Sequence, residues 1–170
     1  MKRVFAAVLA AVMMLCTLTA CGKKAPNNLE GKSLSEIVDL IYAEKEPGIM
    51  VETMDVNIED SEFLKYDTGL SSADKITAAA VSEAMIGSQA YSMVLVRVAD
   101  EKDSESVANE MKEGINPAKW ICVQADDLKV AVYRDVVMLI MVSSQLADTV
   151  TAQEIVDAYK TVCGGEIKEI

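Results

Sequence analysis

The chain predicts an α+β domain in two layers, a mostly antiparallel sheet of about five strands with about three helices packed on it. Two capping boxes, Ser33-Leu34-Ser35-Glu36 and Thr151-Ala152-Gln153-Glu154, each open an apolar stripe at helical spacing. Apolar runs crowd together between Trp120 and Ser143, joined by turns too short for the crossovers that parallel strands need. The order of hairpin, helix, meander and terminal helix segregates the helices, where a parallel sheet would alternate them strictly with strands.

The first residues lie outside that fold. Lys2 and Arg3 precede an apolar run from Val4 to Leu18, and small residues then lead to a cysteine, which is the order of a secretory signal. Leu18-Thr19-Ala20-Cys21-Gly22 resembles the lipobox of bacterial lipoproteins. That resemblance implies a diacylglyceryl group on the Cys21 thiol and a mature chain beginning there. As an uncleaved helix, Val4 to Leu18 would span only ~22 Å, short of the ~30 Å hydrocarbon core. The mature protein is expected on the outer face of the cytoplasmic membrane, held through Cys21, since two acyl chains give durable anchoring.

Cleavage after residue 20 removes Lys2 and Arg3 and takes the formal charge from −11 to −13. So acidic a surface repels nucleic acid phosphates and anionic lipid heads, which excludes DNA or RNA as partner and a polybasic membrane patch. Residues 21–32, rich in Gly, Asn and Lys with little apolar content, read as a lipidated cysteine followed by a flexible tether. Residues 33–170 then form a single globular domain of ordinary size.

Within it, Leu34, Ile37, Leu40 and Ile41 predict a helix over about 33–45, ended by Pro47-Gly48. From Ile49 to Leu70 the signals mix. Met50, Met54, Val56 and Ile58 mostly alternate with Glu52, Asp55, Asn57 and Glu59, and Phe63-Leu64 can start a helical turn. The acids fail the twelve-residue calcium loop from Asp55, because Asp60 stands where glycine makes the turn and Tyr66 where a bidentate glutamate belongs. Ile76 to Ile86 admits helix or hairpin arm, and Tyr91 to Val98 is a strand. Because that strand offers apolar groups to both faces, either the segment from Ile49 to Leu70 or a partner is expected to cover the second one. Asp100 to Gly114 carries Val107, Met111 and Ile115 on one stripe, an amphipathic helix.

Beyond Asn116-Pro117 come three candidate strands, Trp120 to Ala125, Lys129 to Arg134 and Val136 to Ser143. The last is apolar throughout and is expected at the centre, covered on both faces. After the second capping box, Ile155, Tyr159 and Val162 form the terminal helix, closed by Gly164-Gly165. On Lys119-Trp120-Ile121-Cys122-Val123 and the strands ending in Val136 to Val142, together with the lipobox, the chain resembles a family of uncharacterised lipoproteins of Gram-positive gut bacteria that carry a domain of unknown function. The resemblance runs from about Leu34 to Ser143. It implies no activity, cofactor or catalytic residue.

The residues themselves assign no chemistry either. The chain has no histidine, which removes Ser-His-Asp and Cys-His nucleophiles and imidazole zinc sites. No glycine-rich phosphate loop follows a strand. Met138 and Met141 lie an odd number of residues apart on a strand and so face opposite ways, which fits core packing and not a copper site. Trp120 is expected in the core or at a sheet edge. Cys122, in a strand, and Cys163, in the last helical turn, are expected to be free, buried and inert, with a disulfide between them, which export would permit, as the alternative.

No catalytic, cofactor-binding or metal residue is therefore assigned, no cofactor is expected, and lipidation of Cys21 is the one site. The reading leans against an enzyme, toward a non-catalytic binding or scaffolding module with an envelope protein as partner. The alternatives are a carboxylate-based envelope hydrolase, which needs two acids converging in a pocket, and a small-ligand receptor serving a transporter.

Overall fold

The computed structural model describes residues 27–170. In chain order its elements are α1 (Leu34–Glu44), β1 (Val51–Asp55), α2 (Ser61–Thr68), β2 (Ile76–Ala84), β3 (Tyr91–Val98), α3 (Ser104–Gly114), β4 (Asp127–Tyr133), β5 (Val136–Val142), α4 (Ala152–Cys163) and β6 (Lys168–Glu169). All strand pairs are antiparallel, in one six-stranded sheet ordered β1-β2-β3-β5-β4-β6. The α+β class and the antiparallel sheet are as the sequence predicts, with one more strand and one more helix.

The layering differs. Alternation along β3 and β5 sends Tyr91, Met93, Leu95, Met138 and Ile140 to one face, where α1 and α4 cover them with Ile37, Ile41, Ile155 and Tyr159. It sends Val94, Val96, Leu139 and Met141 to the other, under Leu64 of α2 and Val107 and Met111 of α3. Helices on both faces make three layers where two were expected. The cause is β5, buried at every position, because a strand apolar on both sides needs a cover on both. Part of the Ile49–Leu70 segment, α2, does supply second-face cover, and α3 completes it. Met138 and Met141 face opposite ways, as their spacing requires.

Both capping boxes form. Ser33 and Thr151 each accept from the backbone N–H three residues on, while Glu36 and Glu154 accept from the N-cap N–H. Gly164 closes α4 in the left-handed conformation, φ 66. Ile76 to Ile86, open between helix and strand in the sequence, is strand through Ala84, paired on one side with β1 and on the other with β3. The β4–β5 turn has no glycine; Arg134 takes the left-handed conformation itself, φ 53, which a two-residue hairpin demands.

Two expectations need correction. Trp120 to Ala125 is a loop, and the meander begins at Asp127. Trp120 and Ala125 plug the loop against the second-face core while Ile121 stays exposed, and Ala125 N–H closes the loop on Pro117 C=O at 2.8 Å. The tether expected over 21–32 is packed from Asn27 onward. Leu29 is fully buried in the first core, Asn27 donates to Asp135 at 3.3 Å, and the Arg97 guanidinium donates to the carbonyls of Lys32 at 2.8 Å and Leu29 at 3.5 Å while pairing with Asp135 at 2.5 Å. Leu29 is a lone apolar residue in a polar run, which gives periodicity nothing to detect. This strap fixes the N-terminal end of the described chain beside the β4–β5 turn. The β2–β3 hairpin tip and the 116–126 loop lie at the opposite end of the sheet.

Candidate functional site

Cys21, the residue expected from the sequence to be lipidated, lies outside the described residues. Of the two later cysteines, both free, Cys163 is buried as expected and Cys122 is exposed. Cys122 sits in the plug loop with φ 66, not in a strand. Burial pushes the Cys163 thiol up to about 12, opposed by a hydrogen bond with Tyr159. The acids near Asp55 are used locally: Asn57 Oδ1 accepts from Glu59 N–H at 3.2 Å, and Asp60 caps α2 by accepting from Glu62 and Phe63 N–H at 2.9 and 3.3 Å.

What the structure brings together, and sequence reasoning missed, is a strip on the second face along the β1 side of the sheet. Even-numbered residues of β1 point to that face: Met54 is paired opposite Val81, a second-face core residue, and Glu52 is opposite Glu83. Met50 continues the row and accepts from Met85 N–H at 3.0 Å. Beside them α2 buries Leu64 and turns Phe63 and Tyr66 outward. Met50 and Met85 are each 62% exposed, Phe63 59% and Ile121 83%, and Ile86 and Met54 are exposed as well. Leu40, on α1, is the exposed large apolar residue of the opposite face. Single exposed apolar side chains are ordinary, whereas a cluster of methionine and aromatic groups marks a binding surface.

The strip is strongly acidic. From Met50 to Asp67 the chain carries Glu52, Asp55, Glu59, Asp60, Glu62 and Asp67 against Lys65. Most of these carboxylates are exposed.

Under the strip sits a buried cation. The Lys119 side chain is 1% exposed and its amine pairs with the Glu83 carboxylate, which is 24% exposed. The same amine donates to Ser92 Oγ at 3.4 Å and lies 5.0 Å from the Tyr66 ring centroid and 5.5 Å from that of Trp120. Burial raises the neighbouring Asp67 carboxyl above the ordinary carboxylate range; the charge of Lys119 opposes this and that of Glu83 adds to it. The Tyr66 phenol is also raised, first by burial, then by the charges of Glu83 and Asp67. A buried amine so enclosed by a carboxylate, a hydroxyl and two rings is a framework group. It ties the plug loop to β2, β3 and α2 and so sets where Trp120 and Ile121 stand. No signal in the sequence marks Lys119, because its partners come from three other elements.

The hydrolase alternative can be weighed at the grooves. One of about 440 Å³ runs between the plug loop and residues 143–145, with Trp120, Cys122, Asp126 and Ser144 in its walls. Asp126 accepts from Ser144 N–H at 2.5 Å and Ser144 Oγ at 2.6 Å, which holds its carboxyl below the usual range. A general acid needs the opposite shift. A second, of about 560 Å³ beside the β4–β5 turn, holds Glu101, Glu105 and Glu166, of which Glu105 pairs with Lys168 at 2.6 Å and Glu166 with Lys160 at 3.7 Å.

Comparison of the chain with protein-family models, curated proteins and solved structures found no match. The geometry alone carries the functional argument.

Proposed function

We propose that the protein is a membrane-anchored extracellular lipoprotein, lipidated at Cys21, whose domain is a non-catalytic binding or scaffolding module for an envelope protein. The observation that carries this is the acidic strip of exposed methionine and aromatic side chains, held in place from beneath by the Lys119–Glu83 pair. Apolar groups left in water on a folded domain gain free energy when a partner covers them, at about 25 cal/mol per Å² of buried area. The framework beneath keeps the surface preorganised, so less ordering entropy is lost on binding.

The placement fits an anchor at the other end. Six residue steps from Cys21 to Asn27 reach at most ~20 Å, and Asn27 is fastened beside the β4–β5 turn. Met50, Met85, Ile86 and Ile121 belong to the far end of strands about 25 Å long, so they face away from the lipid toward other envelope components.

The test is photo-crosslinking in intact cells, with a crosslinking amino acid at Phe63 and, as control on the opposite face, at Leu40. A discrete protein adduct at Phe63 and none at Leu40 is the expected result. Equal patterns from both positions, or turnover of a peptidoglycan substrate that disappears when two named carboxylates become amides, would set the reading aside.

A further inference from the structure

The free edge of the sheet runs along the acidic strip. β1 is an end strand, and among the described residues nothing pairs with its outer side. The bonds from Met85 N–H to Met50 C=O and from Val56 N–H to Ala79 C=O, 3.0 and 2.9 Å, fix the parity. Both even-numbered residues of the β1 segment turn their backbone groups toward β2, so Val51, Thr53 and Asp55 between them turn theirs outward. Natural sheets blunt such edges with lysine, proline, bulges or inward charges. This one has a regular register with β2 from Val51 to Asp55 and no proline between Pro47 and Pro117. Its charges are Glu52 and Asp55, continued by Glu59 and Glu62 on the turn and helix that follow.

We infer that β1 is a docking edge for an extended, basic and apolar segment of a partner protein, which adds as a seventh strand and lays alternate side chains over the methionine-aromatic strip. This rests on the binding-module reading and names how that surface is used. In strand addition the main-chain bonds give affinity and the side-chain positions give selectivity. Here three outward residues supply the bonds, and Met50, Met54 and Phe63 supply apolar contact for every second residue of the guest. Charge decides the occupant. A second copy of this chain would bring an equally acidic edge against the first, which opposes self-pairing, whereas Lys or Arg side chains meet Glu52, Asp55, Glu59 and Glu62. The same acids that keep the edge from aggregating select the guest.

The experiment uses the full chain, purified from membranes in neutral detergent, and amide hydrogen exchange read residue by residue. The probe is a ten-residue peptide alternating Lys and Val. The controls are the same peptide N-methylated at every second residue and an alternating Glu-Val peptide. Expected is exchange at Val51, Thr53 and Asp55 slowed by about tenfold or more with the Lys-Val peptide, with neither control having an effect, and loss of the slowing in Thr53→Pro, whose missing N–H faces outward. The N-methylated control keeps the test sound if that variant does not fold. No slowing, or equal slowing by the N-methylated or acidic peptide, overturns the inference. Slowing that grows with protein concentration and needs no peptide also overturns it, since the guest would then be a second copy. A Lys-Val peptide that binds through Phe63, judged by loss in Phe63→Ser, while the β1 amides stay unprotected overturns strand addition and leaves the binding module standing. Failure of the Phe63 crosslink in cells instead removes the parent reading.

Discussion

Cys122 and Cys163 differ in environment although the sequence makes them equals. A thiol raised to about 12 by burial is about one part in ten thousand thiolate at pH 8, so Cys163 is inert toward alkylation while the protein is folded. Iodoacetamide at pH 8 without reductant is expected to label residues 27–170 once in the native protein, at Cys122, and twice when it is denatured. Two labels in the native protein would refute the buried placement. Lys119 is the residue on which the candidate surface depends. Lys119→Met removes the ammonium and leaves Glu83 without its partner. Loss of one member of a fully buried pair costs roughly 3–5 kcal/mol. Glu83 keeps 24% of its exposure, so about 2–3 kcal/mol is expected here. Chemical denaturation measures it, and Trp120 fluorescence reports the accompanying loosening of the plug loop, which a change of global stability alone does not produce.

Between elements, the junction of α2 and α3 is set by two glycines. Gly69 caps α2 at φ 80, and a Cβ on Gly114 would stand 2.0 Å from the Gly69 carbonyl oxygen. Backbone cannot yield as a side-chain tip can, so Gly114→Ala is expected to lower stability by about 3 kcal/mol or more, despite alanine's better helix propensity. A variant as stable as the parent would show that the helices do not approach this closely. At the start of α4, Glu154 completes the capping box and pairs with Lys45 of the 45–50 connection at 2.8 Å. The lysine hydrogen bond, then the Thr151 backbone, hold its carboxyl below the ordinary value. With a folded pKa below the unfolded one, its stabilisation is present above the unfolded value near 4.5 and is lost as pH falls through the folded value. Glu154→Gln is therefore expected to melt below the parent at pH 7, by a margin that shrinks as pH falls below about 4.5. A melting difference that is constant across that range would rule out the charge as the cause.

For the whole molecule, the proposed anchor at Cys21 would decide which surfaces can meet the membrane. A palmitate analogue fed to growing cells is expected to mark the wild type and not Cys21→Ala, and equal marking of both would remove the anchor. With the strap from Asn27 to Lys32 bound to Arg97 and Asp135, a lipid on Cys21 would leave six residue steps of chain before the fold. Under that proposal the hairpin tip is the end that points away from the membrane.

The α+β class, both capping boxes, the closing glycine of α4 and the central, doubly covered β5 were legible in the sequence, because each rests on residues close together in the chain: a hydroxyl and a glutamate three apart, or seven apolar side chains in a row. The second helical layer was half legible, as a face in want of a cover. Other features needed the fold. Trp120 to Ala125 has a strand's composition and becomes a plug because Lys119 finds Glu83 and Ser92 on two other strands. Leu29 joins the core because Arg97, far along the chain, holds its carbonyl. The strip itself gathers Met50, Met54, Phe63 and Met85 from separate segments, none of which is unusual alone. Local patterns specify local structure through hydrogen bonds and periodicity; a surface is made by segments distant in sequence, and the register of β1 on β2 and the seat of α2 decided which side chains share it.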